Sequence, residues 1–156
     1  MKYIAHRGNI RGPNIREENT PAYLEYAIRQ GFDVEVDVRV DQSTGMCLLG
    51  HDGPTLTIDW NWLENYRSYL WVHCKDLSAL NAFQQSDLHF NYFWHQEDDY
   101  TLTSHQIVWV YPGRTFSPRS VVVLPEWELG ETREALRRAS QYDCYGICSD
   151  YVDYIK

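Results

Sequence analysis

Residues 32–40, FDVEVDVRV, alternate apolar and charged side chains and are rich in β-branched valine. A period of two over such residues specifies a strand rather than a helix. Glu35 and Asp37 then leave the same face of that strand, about 7 Å apart along the chain. Two neighbouring carboxylates repel each other unless a cation lies between them. The run continues through a turn at 41–46 and a short return strand at 47–49, and ends on His51-Asp52-Gly53-Pro54, which sets a titratable ring on a turn. Taken alone, an alternating acidic strand is a strand with one solvated face. Beside a turn histidine, the same carboxylate pair reads as a site.

The rest of the chain supplies a frame for that strand. Tyr3–His6 is an opening strand, and the Gly-, Asn- and Pro-rich loop after it leads to a helix with Asn19 or Thr20 as its cap and Pro21 near its first position. Leu24, Ala27 and Ile28 fall on one helical face, and Gly31 stops the helix. Strand, helix and strand in this order form the unit of parallel α/β folds. Further on, the spacing predicts a short aromatic helix over 59–70 and a strand over 70–75. Asp76 caps a helix to about 85, with Leu77, Leu80 and Phe83 facing inward. Strands follow at 90–94, 107–111 and 121–124, then a helix over 131–142 and a last strand at 146–148. No repeat or linker divides the chain, so residues 1–156 form one domain.

Five short segments carry a resemblance. His6-Arg7-Gly8, then ENTPAYLEYAIRQGFDVEVDV, then LLGHDGP, occur in the order and at the spacing seen in the glycerophosphodiester phosphodiesterase family. Val72-His73-Cys74-Lys75 falls where that family has a strand ending Glu-x-Lys, and GICSDY resembles its closing strand. The strong match covers residues 3–54; residues 84–140 have no clear counterpart. The resemblance implies a TIM-type (β/α) barrel, a divalent metal ion, and His6 and His51 as the acid–base pair.

Length modifies that expectation. A full (β/α)₈ barrel takes about 250 residues, and a helical crossover between parallel strands takes a dozen or more. Residues 90–124 must hold three strands, leaving no room for helices between them. The expected fold is therefore a compact α/β barrel whose outer helices on that side are shortened or missing.

A net charge of −8 argues against nucleic acid or an anionic membrane as partner. No apolar run approaches the ~20 residues of a membrane span, and the start lacks an apolar signal region. The expected location is cytoplasmic. The four cysteines are read as reduced, and their spacing does not suit a zinc site.

The expected partner is a small-molecule phosphodiester. Its cleavage needs a neutralised phosphoryl oxygen, a base and an acid. Glu35 and Asp37 suit a hard divalent cation. His6 and His51 supply two imidazoles, a side chain whose ordinary pKa lies near neutrality. Arg7 and Lys75 would clamp phosphate, with Asn19 as a further substrate contact and Glu18 beside it. His73 stands where the family has a third carboxylate. As a ligand it removes a negative charge, so manganese or zinc gains on magnesium or calcium; it also reads as a catalytic imidazole or as a plain buried histidine. His95, with Gln96, Glu97 and Asp98, reads as a site wall or a solvated loop. Glu126 reads as a ligand, a substrate contact or a structural group, and Asp150 as support for the barrel rim. His89 and His105 read as surface residues. A metal-dependent phosphodiesterase is the leading reading. The alternatives are a binding module with the same pocket and a lyase that stops at a cyclic phosphate.

Overall fold

The computed structural model describes residues 1–53 and 56–156, so Pro54, the last residue of the organising run, lies outside the described residues. The expected central strand is β2, Asp33–Val40, and six of its eight residues are buried. It pairs in parallel with β1 (Lys2–Ala5), Ile4 opposite Asp33, and with β5 (Leu70–Cys74), Asp37 opposite His73. Its far end pairs antiparallel with β3 (Cys47–Leu49), which carries β4 (Leu56–Ile58). β5 pairs in parallel with β6 (Asn91–Phe93). In the other direction β1 pairs with β10 (Gly146–Ser149), β10 with β9 (Ser120–Val123), and β9 with β8 (Val108–Val110), all in parallel. β7 (Tyr100–Leu102), which the sequence reading did not predict, joins β8 antiparallel.

The expected closed barrel is not shown: the parallel strands run in the order β6-β5-β2-β1-β10-β9-β8, with a seam between the two ends. Among the described residues no ladder joins β6 to β8. Ser104 bridges the gap instead. Its N–H donates to Tyr92 O (2.8 Å), and its hydroxyl donates to Phe90 O (2.8 Å) and accepts from Tyr92 N–H (3.0 Å). The Phe93 and Trp109 rings, centroids 4.5 Å apart, pack across the seam. The interior is apolar, built from Ile4, Trp71, Phe93, Trp109, Val121 and Cys148.

Helices cover the opposite face. Leu24 and Ala27 of α1 (Pro21–Arg29), Leu63 of α2 (Trp60–Tyr66) and Phe83 of α3 (Leu77–Gln85) pack with Val34, Val36, Val38 and Val72 in one core. From Asn91 to Val123 there are four strands and no helix, as the length of that segment requires. Leu77, expected inward, is 66 % exposed. It opens α3 directly after the Asp76 cap, and Ala79 and Phe83 take the buried stripe. Residues 131–142 do not form one helix. Thr132 caps a single turn, α5 (Arg133–Leu136), and residues 137–141 continue as 3₁₀-helix, so that Leu136 and Ala139, three apart, both reach the core. Two further turns, α4 (Glu126–Leu129) and α6 (Val152–Ile155), lay outside the sequence reading. All four cysteines are free. Among the described residues no helix is long and apolar enough to cross a membrane.

Candidate functional site

The inward side chains of β2 meet those of its neighbours at the C-terminal ends of the strands. Asp37, fully buried, is the hub. Asn19 Nδ2 donates to Asp37 Oδ2 (3.0 Å) while Asn19 Oδ1 accepts from the Asp37 N–H (2.9 Å). Asn19 therefore spends its side chain on orienting Asp37 and has none left to cap α1. Thr20 occupies the cap position, but its hydroxyl donates to Glu17 O instead. Arg7 Nε lies 3.2 Å from Asp37 Oδ2 as an ion pair, off the line of a hydrogen bond, and Arg7 Nη1 donates to Glu18 Oε2 (3.3 Å). Lys75 Nζ is 3.8 Å from Asp37 Oδ1. Arg7 and Asn19 both hold left-handed backbone, φ 53° and 59°. Non-glycine residues adopt such angles at a cost of about 1–3 kcal/mol, typically where a site requires it. Here the turn after β1 directs the guanidinium onto the carboxylates.

Glu35, 2 % exposed, accepts from the Arg7 N–H (3.2 Å). His73 Nδ1 lies 3.1 Å from Asp37 Oδ1 and 3.6 Å from Glu35 Oε1. His73 Nε2 faces the carbonyl of His95 at 2.8 Å, and a carbonyl only accepts, so Nε2 carries a proton. In the neutral ring Nδ1 is then bare, and its lone pair points at two carboxylate oxygens. Asp37 Oδ1 is buried with no hydrogen-bond partner. Three lone pairs converging in this way require a cation among them: a second proton on His73 or a metal ion. The donor separations resemble the edges of a coordination shell with bonds of about 2.0–2.2 Å. Glu35, Asp37 and His73 thus fit a divalent ion. In the metal-free protein burial works against charging His73, yet Asp37 and Glu35 outweigh it and raise its pKa to about 9. Burial likewise pushes Asp37 upward, but His73, Arg7 and Asn19 hold it well below the usual carboxylate range.

His6 Nδ1 lies 2.8 Å from Asp150 Oδ1, and its Nε2 is 3.9 Å from Glu35. Burial lowers the pKa of His6, but the Asp150 hydrogen bond and Glu35 overcome it and raise the value. Burial raises Asp150, and the bonds from His6 and Asn9 lower it overall. Glu126, buried, accepts from Ser149 Oγ (2.9 Å) and the Asp150 N–H (2.8 Å), so it holds the end of β10. The pair favours folding between the unfolded pKa of Asp and that of His. Its share is lost as pH falls through the lowered Asp150 pKa, or rises through the raised His6 pKa. Replacing Asp150 with Asn should lower the His6 pKa, as read from the pH dependence of its ring protons by NMR; an unchanged value would show that Glu35 alone sets it.

His51 sits on a loop clasped by Arg39, whose Nη2 donates to His51 O (2.7 Å) and whose Nη1 donates to Gly50 O. Its Nδ1 pairs with the exposed Asp52 (2.5 Å). A cavity of about 720 Å³ lies between these groups. His6, Arg7, Glu35, His51, His73 and Lys75 line one side of it. His95, with Gln96, Glu97 and Asp98, lines it too, while Asn19, Glu18, Asp37 and Glu126 do not. The opposite side is aromatic and apolar, including Trp109, Tyr111 and Trp127. This wall was not read from the sequence. The signal available was a strand ending Tyr111-Pro112 and a tryptophan directly after Glu126.

Neither a family model nor a curated protein matches the sequence. Among solved structures the chain is similar to a glycerophosphodiester phosphodiesterase from Agrobacterium tumefaciens str. C58, with a TM-score of 0.60 and 16 % identity over 99 % of each chain. At that identity the likeness is one of fold. It extends over the whole chain, including residues 84–140, where the sequence resemblance had lapsed.

Proposed function

We propose that this chain is a metal-dependent phosphodiesterase acting on a small glycerophosphodiester-like or sugar-phosphate diester. The observation that carries the reading is the convergence of Glu35, Asp37 and His73 donor atoms beside His6, Arg7 and Lys75. The fold, similar to that of a phosphodiesterase, supports it. Glu35, Asp37 and His73 would hold the ion, which when bound supplies charge neutralisation to a phosphoryl oxygen. Arg7 presents a fork of donors and Lys75 a point charge to the phosphate. His6, with Nδ1 committed to Asp150, turns Nε2 towards the cavity as one member of the acid–base pair, and His51 is the other. The aromatic side would receive the alcohol portion.

The test is cleavage of a panel of small phosphodiesters with Mn²⁺, Mg²⁺, Ca²⁺ or Zn²⁺ and with chelator. The expected result is ion-dependent release of a phosphomonoester; a cyclic phosphate product would reassign the chain as a lyase. Absence of turnover on every diester, with phosphate esters still bound, would replace catalysis with a binding role.

A further inference from the structure

The aromatic side of the main cavity carries groups that metal-assisted cleavage does not use. A row of rings leads there from the candidate metal site. The ring centroids of His73 and His95 are 6.5 Å apart, those of His95 and Tyr111 6.0 Å, and those of Tyr111 and Trp127 6.5 Å. All four side chains line the one cavity of about 720 Å³. Whatever a phosphoryl group carries when it is held beside His73 thus has Tyr111, and then Trp127, along its way out.

Trp127 ends the row. Its side chain is exposed to 65 %, yet its backbone is fixed. The Trp127 N–H donates to Leu124 O (3.0 Å), and the Leu124 N–H donates to Cys148 O (2.8 Å). The neighbouring Glu126 is buried and tied to Ser149 and Asp150. Leu124 holds left-handed backbone, φ 46°, directly before Pro125, a costly conformation that non-glycine residues keep mostly at functional sites. With Trp109, Tyr111 and Pro112, Trp127 makes one apolar wall on the cavity. A contiguous apolar surface open to water, on a pinned turn, is preorganised for a ligand to cover.

Across the seam from Tyr111 stands a polar loop. His95 Nε2 donates to Asp98 O (2.5 Å), which closes residues 95–98 on themselves. Gln96, Glu97 and Asp98 line the cavity, and among the described residues their side chains have no hydrogen-bond or ion-pair partner. Aromatic rings beside amide and carboxylate groups suit a molecule that is apolar on one side and rich in hydroxyls on the other. A sugar ring has that make-up: its C–H face covers an aromatic ring, and its hydroxyls donate to carboxylates. Glycerol has the hydroxyls but no ring to cover Trp127. A cation is best held over ring faces, whereas Tyr111 and Trp127 meet edge to face at 84°.

We infer that the alcohol portion of the substrate is a sugar, with Tyr111 and Trp127 as the platform under its ring and the 95–98 loop as acceptor of its hydroxyls. The inference rests on the phosphodiesterase reading for the place of the phosphate, and it selects among the substrates that reading allows.

The experiment is a titration of the intact protein, with Mg²⁺ present, by glucose 1-phosphate, glycerol phosphate and choline phosphate. Calorimetry gives the affinities, and NMR follows the Trp127 indole N–H. These monoesters report binding without cleavage. Glucose 1-phosphate should move the indole resonance and bind about tenfold tighter than glycerol phosphate, since even one methylene in an apolar pocket discriminates by about that much. Trp127→Leu, apolar but without a flat face, should remove that margin, and Trp127→Phe should keep most of it. Tighter binding of choline phosphate would overturn the sugar in favour of a cation. Equal losses for all three esters in Trp127→Leu, or an unmoved indole resonance, would overturn the platform. Turnover of diesters with no sugar margin strikes this inference alone; a sugar margin without turnover sustains it and strikes the catalytic reading.

Discussion

The affinity of the Glu35–Asp37–His73 cluster for Mn²⁺ is expected to climb about tenfold per pH unit from about pH 6, because one proton must leave for each ion that binds. The His95 carbonyl keeps the proton on Nε2, so the one displaced is on Nδ1, and the climb should level as pH passes the His73 value of about 9. Calorimetry across this range measures the slope directly; a flat profile would mean that His73 is not a ligand. Stability of the metal-free protein should move the opposite way. A histidine whose folded pKa is raised adds stability below its unfolded pKa and loses it as pH rises through the folded one. Chelated protein should therefore weaken towards about pH 9, and Mn²⁺ should restore it. In Asp37→Asn both effects should shrink, since Glu35 alone is then left to raise the His73 pKa.

Loss of either imidazole is expected to cost cleavage about 10²–10⁴-fold, the usual contribution of a positioned acid or base. The two variants should differ in stability. His51 is about one-third exposed, on a loop held through its backbone by Arg39, so His51→Ala should leave unfolding unchanged. His6→Ala strips Asp150 of its ring partner and should destabilise as well. Removing both should cost much less than the product of the single losses, because an acid and a base acting on one diester work as a unit. Rates and denaturation midpoints of the three variants decide the matter. Full activity in His51→Ala would move its role to another group on the cavity wall, His95 being the nearest in kind.

Much of this arrangement was readable because it is local. The alternation that defines β2 places Glu35 and Asp37 on one face wherever the strand lies, and the strand ending at Cys74 carries His73 and Lys75 to the same end of the wall. What escaped depends on contacts distant in sequence. Asn19 belongs to a cap by local rules, yet Asp37, a fully buried carboxylate, has the stronger claim on its amide. Glu126 reads equally as a ligand, a substrate contact or a structural group, and what decides for the last is a pair of partners on β10 and just beyond it. β7 has too few apolar residues to announce itself; Tyr100 and Leu102 are exposed, and the strand is held by its ladder to β8. Likewise, no periodicity foretells that a serine side chain will stand in for a strand at the seam.

The partnership of β1 with β10 also sets an order of events. His6 and Asp150 stand 144 positions apart, and the strand just before His6 pairs along its whole length with the one just before Asp150. β2, β3, β5 and α1–α3 share one core whose buried members, Val152 apart, lie within residues 5–90, so most of it can pack before β10 is made. The His6–Asp150 pair cannot, since its two halves are 144 positions apart. Non-local pairings of this kind are formed slowly. A nascent chain should thus gather Glu35 and Asp37 early and gain a correctly oriented His6 only once Asp150 has emerged.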